Sequence, residues 1–251
     1  MPLKEKSVMV FDVDGTLTRS KQPLDREMAG LLAKLTRSKR VGIIGGGKFS
    51  LFRWQLLAPM KREKPNLKNL FLFPTSGATF FRYSRGWRRV YRLDLTGEEI
   101  KKIKGAFKRA LPAAGFKSPK KMYGAMIENR GTQMTFSATG QSSPLAVKKK
   151  WNQGSDIRPR IMDELGKILP DFGIRAGGLT SIDITKKGVN KGSTTERFIR
   201  VIHAPKSSVL FIGDAIFPGG NDYAAFEAGF DCLKVKSPTD TKKIIKKVLK
   251  S

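Results

Sequence analysis

A short apolar segment that ends in two aspartates constrains this chain more than any other feature. Residues 8–13 read Val-Met-Val-Phe-Asp-Val, and Asp14, Gly15 and Thr16 follow at once. Such a segment is typical of a strand that is buried on both faces of a parallel sheet. Open α/β sheets carry their ligand crevice at the carboxyl ends of the strands, so we expect Asp12 and Asp14 to lie at a functional site.

Similar segments recur in both halves of the chain. Residues 41–44 and 209–212 are apolar and run into glycines, and a helical pattern separates the first strand from the second. This alternation of strands and helices predicts an α/β fold with a doubly wound, mostly parallel, Rossmann-like sheet.

The middle of the chain has a different sequence pattern. Residues 78–81 and 90–93 flank a Ser-Arg-Gly turn in the manner of a hairpin, and further strand and helix patterns follow. We therefore predict an inserted α+β domain at residues 85–187, between two parts of the core at residues 1–84 and 188–251. Two lobes imply a cleft between them.

The carboxylates after the first strand suit phosphoryl transfer. Asp12 can act as a nucleophile that forms an acyl-phosphate, and Asp14 can act as the general acid and base. Lys191, just before a predicted helix, could hold Asp12 and the phosphate by charge, although alone it would be one of many surface lysines. An isolated Asp-x-Asp-Gly sequence is also compatible with an ordinary solvated turn.

Acidic residues near the other end of the chain complete a candidate metal site. Asp214 follows another apolar strand, and Asp222 opens a helix. Carboxylate and carbonyl oxygens are the ligands that Mg²⁺ prefers. We therefore predict a Mg²⁺ site formed by Asp12, Asp14, Asp214 and Asp222, with a backbone oxygen near Val13.

The chain is strongly basic, with 49 Lys and Arg against 21 Asp and Glu and a net charge of +28. Such a field attracts anionic partners. The basic residues recur along the whole sequence, however, without the Cys/His spacings or motifs of a nucleic-acid-binding fold. We expect a general surface bias and no specific nucleic-acid partner.

The compartment is predicted from cysteine usage and hydropathy. The single cysteine excludes an intrachain disulfide framework, and no apolar run is long enough to span a bilayer. We expect a cytoplasmic protein without a membrane partner.

The core segments, in their order, resemble the haloacid dehalogenase superfamily in the subclass with an inserted α+β cap. Residues 11–18 (Phe-Asp-Val-Asp-Gly-Thr-Leu-Thr) and 213–222 (Gly-Asp-Ala-Ile-Phe-Pro-Gly-Gly-Asn-Asp) are similar to the eukaryotic-type phosphomannomutases. The resemblance implies a hexose phosphate substrate, a hexose bisphosphate activator and a homodimer formed through the cap.

That family binds the sugar and its distal phosphate with side chains of the cap. By resemblance, Arg130, Ser181 and Asp183 take these roles here, and Gln141 and Lys148 stand where two further cap arginines would align. Lysine keeps the charge of arginine but loses its bidentate geometry, and glutamine loses both. The resemblance thus implies weaker or different recognition of the distal phosphate.

Two further departures lie in the core motifs. The family pattern Gly-Gly-Ser, whose hydroxyl binds the phosphate, becomes Gly45-Gly46-Gly47. Only backbone N–H groups, such as those of Gly46 and Gly47, remain there to bind an anion. Lys21 stands where the family has an arginine.

These observations predict a Mg²⁺-dependent enzyme that interconverts mannose 6-phosphate and mannose 1-phosphate through a phosphorylated Asp12 and a bisphosphorylated sugar. A sugar-phosphate phosphatase is the alternative. A third hypothesis is an anion- or nucleic-acid-binding protein that merely retains the fold, because the charge is high and residue 47 lacks a hydroxyl. The intact set of Asp12, Asp14, Lys191 and Asp214 argues against this last hypothesis.

Overall fold

The structure is a computed structural model that describes residues 3–152 and 157–250. Its strands are β1 (Val8–Asp12), β2 (Arg40–Ile44), β3 (Leu70–Phe73), β4 (Thr79–Tyr83), β5 (Trp87–Arg92), β6 (Ile127–Asn129), β7 (Met134–Ser137), β8 (Phe172–Ala176), β9 (Ser181–Lys186), β10 (Val209–Gly213) and β11 (Asp231–Lys234). Its α-helices are α1 (Arg26–Ser38), α2 (Phe49–Phe52), α3 (Ala58–Met60), α4 (Gly97–Ala113), α5 (Leu145–Asn152), α6 (Arg158–Ile168), α7 (Lys191–Val201), α8 (Tyr223–Glu227) and α9 (Pro238–Lys250). A π-helical turn, Arg53–Leu57, joins α2 to α3.

The chain divides into two compact units. Unit 1 extends to Arg92 and resumes at Asn190, and unit 2 is Leu93–Val189. The sequence places the first boundary after residue 84, whereas the structure places it after Arg92. The reason is that β5 pairs with β4 and completes the sheet of unit 1. The second boundary follows Val189 and not residue 187.

Unit 1 contains a seven-stranded sheet with the order β11-β10-β1-β2-β3-β4-β5. The first five strands in this order are parallel, and β4 and β5 continue the sheet antiparallel. Successive residues of a strand point to opposite faces. Phe11 therefore packs in the core formed with α1 and α9, while Val10 packs in a second core with Phe198 of α7. Helices cover both faces, which confirms the predicted doubly wound α/β core.

Unit 2 is built on a four-stranded antiparallel sheet with the order β6-β7-β9-β8. Its apolar face packs on α4 and α6, where Phe136 and Ile184 meet Phe107 and Ile161. Alternation along β7 and β9 places polar residues on the opposite face. The predicted α+β insertion is confirmed, although the sequence patterns did not predict β8.

No helix within the described ranges is both long enough and apolar enough to cross a membrane.

An ion-pair cluster in unit 1 fastens α9 to the start of α1. Lys242 Nζ donates to Asp25 Oδ2 at 2.7 Å and to Glu27 Oε2 at 2.8 Å. Partial burial opposes the charge of Asp25, but the bonds from Lys242 and from the Met28 N–H hold the pKa of Asp25 below its usual value. Hydrogen bonds from Lys242 and Lys246 lower the pKa of Glu27 to about 2.

We predict that Lys242→Met lowers the free energy of unfolding at about pH 7 but has little effect at about pH 2. The two carboxyl groups have depressed pKa values in the folded state. Their contribution is therefore present above the unfolded values of about 4 and is lost as the pH falls through the folded values. Urea denaturation at both pH values measures the difference. Lys247→Met, an exposed change on the same helix, is the control, and an equal loss in the two variants would contradict the prediction.

Candidate functional site

Parallel pairing brings the two acidic motifs together. Phe11 of β1 is in register with Ile212 of β10, so both strands end at the same edge of the sheet. One carboxylate oxygen each from Asp12, Asp214 and Asp222 lie within 4.8 Å of one another. Asp12 and Asp222 are buried, and Asp214 is partly exposed.

Lys191 supplies positive charge to this cluster. It is the first residue of α7, and a capping box formed by Asn190 fixes the start of that helix. Its Nζ donates to Asp12 Oδ1 at 2.5 Å, to Asn221 Oδ1 at 3.1 Å, and to Asp222 Oδ1. Burial disfavours its charge, but the carboxylates of Asp12 and Asp222 outweigh burial and raise the pKa of Lys191 above its ordinary value. Lys191 is therefore a fixed cation of the site.

Three carboxylates and one ammonium leave the cluster short of positive charge. Burial raises the pKa of Asp12 well above its usual value; Lys191 opposes this rise, and Asp222 and Asp214 add to it. Burial and the charge of Asp222 also raise the pKa of Asp214. A divalent cation would balance the charge of the three carboxylates. Carboxylate oxygens that converge on one point are the ligands that such a cation prefers. The residues present thus fit a metal ion.

Glycines allow the two acidic loops to approach each other. Gly15 has φ +90°, and a Cβ built there would lie 2.5 Å from Oδ2 of Asp214. A Cβ at Gly213 would overlap the carboxylate of Asp222. Thr16 Oγ1 then donates to Asp214 Oδ1 at 3.3 Å. Any larger residue at either glycine would push the carboxylates apart.

Asp14 lies beside this group and not within it. The group of three carboxylates does not include Asp14, so its part in metal binding stays a prediction. Its Oδ1 accepts hydrogen bonds from the backbone N–H of Lys21 at 2.7 Å and from Gln55 Nε2 at 3.3 Å. Lys21 therefore binds Asp14 through its backbone N–H. Gln55 was not predicted from the sequence.

The three-glycine loop begins beside the nucleophile candidate. Ile44, the last residue of β2, is in register with Asp12, and Gly46 and Gly47 follow in the next loop. Thr75 N–H donates to Gly47 O at 2.9 Å and so holds the loop to the segment after β3. The predicted anion-binding glycines thus follow the strand next to Asp12.

In unit 2, three of the predicted residues belong to one hydrogen-bonded group. Arg130 Nε donates to Glu128 Oε2 at 2.8 Å, and its Nη2 donates to Gln141 Oε1 at 3.2 Å. Gln141 Nε2 donates to Thr135 O at 3.1 Å, and Thr135 Oγ1 donates to Asp183 Oδ1 at 2.8 Å. Thr135 was not predicted as a site residue, although the alternation of polar and apolar residues along β7 places it on the polar face of the sheet.

Two further predicted residues, Ser181 and Lys148, also belong to unit 2. Ser181 begins β9 two positions before Asp183, so both occupy the polar face of the sheet. Lys148 is a buried residue of α5.

The comparison of sequences decides the family. A sequence model of the eukaryotic phosphomannomutase family matches residues 28–251. The chain belongs to this family. It is 28% identical to phosphomannomutase 1 of Mus musculus over 89% of this chain and 84% of that protein. It is likewise 28% identical to the phosphomannomutase of Saccharomyces cerevisiae, over 96% of this chain and 94% of that protein. The predicted resemblance to the phosphomannomutases is confirmed, and membership of this family shows that the chain is an enzyme.

Solved structures share the fold. An IMP-bound IMP-nucleotidase of Plasmodium falciparum matches with a TM-score of 0.71 and 15% identity, covering 98% of this chain and 68% of that chain. A trehalose-6-phosphate phosphatase related protein matches with a TM-score of 0.54 and 18% identity, covering 97% of each. At these identities the likeness shows the fold alone, and that fold agrees with the predicted α/β core with an inserted α+β domain.

We predict that Mg²⁺ raises the melting temperature of the protein by roughly 5–10 °C at a hundredfold excess over its Kd, since a cation that binds only the folded state stabilises it by mass action. Differential scanning fluorimetry with and without a chelator measures the shift. Asp214→Asn should remove most of the shift, and Asp163→Asn, at an exposed position of α6, should keep it. A native protein that does not respond to Mg²⁺ would contradict the predicted site.

Proposed function

We propose that the chain is a Mg²⁺-dependent phosphomannomutase that interconverts mannose 6-phosphate and mannose 1-phosphate through an aspartyl-phosphate. The observation that carries the proposal is the cluster of buried Lys191, Asp12 and Asp222 with partly exposed Asp214, in a member of the phosphomannomutase family. The mouse and yeast relatives carry the name of that activity.

Asp12 is the nucleophile in this proposal. Lys191 holds Asp12 Oδ1 at 2.5 Å, which fixes the carboxylate and leaves Oδ2 to attack. A bond forms between Oδ2 and phosphorus while the bond from phosphorus to the sugar oxygen breaks, and Asp14 gives its proton to that oxygen. In the reverse step a free hydroxyl of a hexose monophosphate gives its proton to Asp14 and takes the phosphoryl group from Asp12, which forms the hexose bisphosphate. Transfer of its other phosphate to Asp12 then releases the isomeric monophosphate.

Charge around the transferred group comes from several parts of unit 1. Asp12, Asp214 and Asp222 would hold Mg²⁺, which screens the carboxylate from the phosphate and stabilises developing charge. Lys191 adds a fixed positive charge, and the N–H groups of the glycine loop can bind phosphate oxygens.

The polar group of unit 2 supports a hexose phosphate as the substrate. Glu128 and Gln141 accept hydrogen bonds from Nε and Nη2 of Arg130, which limits the directions of its other N–H donors. Ser181 and Asp183 offer oxygens for sugar hydroxyls. We propose that these residues, with Lys148, recognise the part of the substrate that does not react.

A sugar-phosphate phosphatase is the second candidate, and the position of Gln141 favours it. Its side-chain amide accepts a bond from Arg130 and donates one to Thr135 O. This position therefore adds no positive charge for a second phosphate. A phosphatase would pass the phosphoryl group from Asp12 to water.

The products of turnover decide between the two candidates. We predict that the protein with Mg²⁺, mannose 1-phosphate and a catalytic amount of hexose bisphosphate forms mannose 6-phosphate faster than free phosphate, as phosphorus NMR would resolve. Asp12→Asn should abolish turnover with an unchanged thermal melt, because the amide is a poor nucleophile. Accumulation of phosphate without mannose 6-phosphate would reject the mutase proposal in favour of the phosphatase. Turnover by folded Asp12→Asn would reject Asp12 as the nucleophile.

We further predict that Arg130→Ala slows isomerisation by about tenfold or more, since it removes charge-assisted hydrogen bonds to the substrate. The rate of hydrolysis of mannose 1-phosphate should fall less, because transfer of the phosphoryl group to water does not require the enzyme to bind a second phosphate. Arg109→Ala, an exposed change on α4 of the same unit, is the control. Equal losses of isomerisation and hydrolysis would contradict this role.

A further inference from the structure

The helix after the glycine loop is interrupted in a way that the sequence determines. The π-helical turn Arg53–Leu57 precedes α3, which contains Pro59. In a regular α-helix the carbonyl of Gln55 would accept the N–H of residue 59, but proline has no N–H and its ring clashes with that carbonyl. The Gln55 carbonyl instead accepts the N–H of Leu24 at 2.9 Å. Turns of this kind frequently lie at functional sites.

The side chain of Gln55 is also engaged outside its helix. Gln55 is 2% exposed, and its Nε2 donates to Asp14 Oδ1 at 3.3 Å. The Lys21 N–H donates to the same oxygen at 2.7 Å. Two donors that meet at Oδ1 fix the carboxylate and leave Oδ2 as the oxygen that can carry an exchanged proton.

We infer that Gln55 is a positioning residue for Asp14, which the π-helical turn and Pro59 place against the carboxylate. The inference rests on the proposed role of Asp14 as the group that exchanges a proton with the sugar oxygen. A buried amide must satisfy its hydrogen bonds in any case. A merely structural role for Gln55, however, predicts no link between its loss and the chemistry of the leaving group.

The test therefore compares substrates with different leaving groups. A sugar hydroxyl leaves poorly and needs a proton, whereas p-nitrophenol leaves readily as an anion. Gln55→Met keeps the length of the side chain and removes the donor. We expect it to lower kcat for a hexose phosphate by about 10- to 100-fold and for p-nitrophenyl phosphate by less than about threefold. Equal losses for the two substrates, or no loss, would overturn the inference.

A double-mutant cycle tests whether Gln55 acts through Asp14. Once Asp14→Asn has removed proton donation, adding Gln55→Met should have no further effect on the hexose phosphate reaction. Independent, multiplying losses would overturn the inference. Trp54→Ala is the matched control, since Trp54 belongs to the same turn but is 50% exposed; it should behave like the native protein with both substrates.

The same data separate this inference from the proposed function. If Asp14→Asn alone shows no dependence on the leaving group, the proposed role of Asp14 fails, and the inference on Gln55 fails with it. If Asp14→Asn shows that dependence and Gln55→Met does not, the inference on Gln55 alone fails. Should Gln55→Met not fold, Gln55→Leu provides the same comparison, because it also removes the donor and adds no charge.

Discussion

The buried ion pair between Lys191 and two aspartates is the interaction on which the rest of the site depends. Removing a carboxylate from water costs several kcal/mol unless a partner compensates it. Lys191 provides that compensation for Asp12 and Asp222 at once, and the capping box at Asn190 fixes where Lys191 stands. One ammonium cannot balance three carboxylates, however. Burial raises the pKa values of Asp12 and Asp214, and the charge of Asp222 adds to both rises. A further cation beside these carboxylates would offset that rise.

The fold explains how residues far apart in the chain form this cluster. Asp12 precedes unit 2, and Lys191 and Asp214 follow it. The sheet order places β10 beside β1, so the two segments meet although a whole unit is inserted between them. The core of unit 1 is complete without residues of the insertion. Residues of unit 2 can therefore change without altering the packing around Asp12.

Most of the core fold and its acidic site could be predicted, because each depends on patterns within short segments of the sequence. Strands covered on both faces read as apolar runs, and Asp12 and Asp214 stand directly after such runs. The position of β5 could not be predicted in this way. Its arginines and exposed residues lie at the free edge of the sheet, where charge is tolerated and protects against edge-to-edge pairing. The half-buried strand β8, which contains Gly173 and Arg175, gave no clear alternation.

Gln55 illustrates a different limit of sequence reasoning. The pattern of residues 51–57 predicts a helix, and the missing N–H of Pro59 already implies that one carbonyl needs another partner. Nothing local identifies that partner as Leu24, or places the Gln55 amide on Asp14. Both contacts join segments that are distant in sequence, so only the three-dimensional structure could show them.

The departures from the family pattern affect unit 1 and unit 2 unequally. In unit 1, the glycine loop lacks the hydroxyl of the family pattern, and Lys191 keeps a fixed positive charge beside Asp12. In unit 2, Gln141 replaces an expected arginine, and its amide is already bonded to Arg130 and Thr135. The residues proposed to form the aspartyl-phosphate are therefore better retained than the residues proposed to recognise a second phosphate. Binding of a second phosphate is what distinguishes a mutase from a phosphatase. Whether the proposed phosphoryl group passes to a sugar or to water therefore depends on fewer retained residues than the proposed attack by Asp12 does.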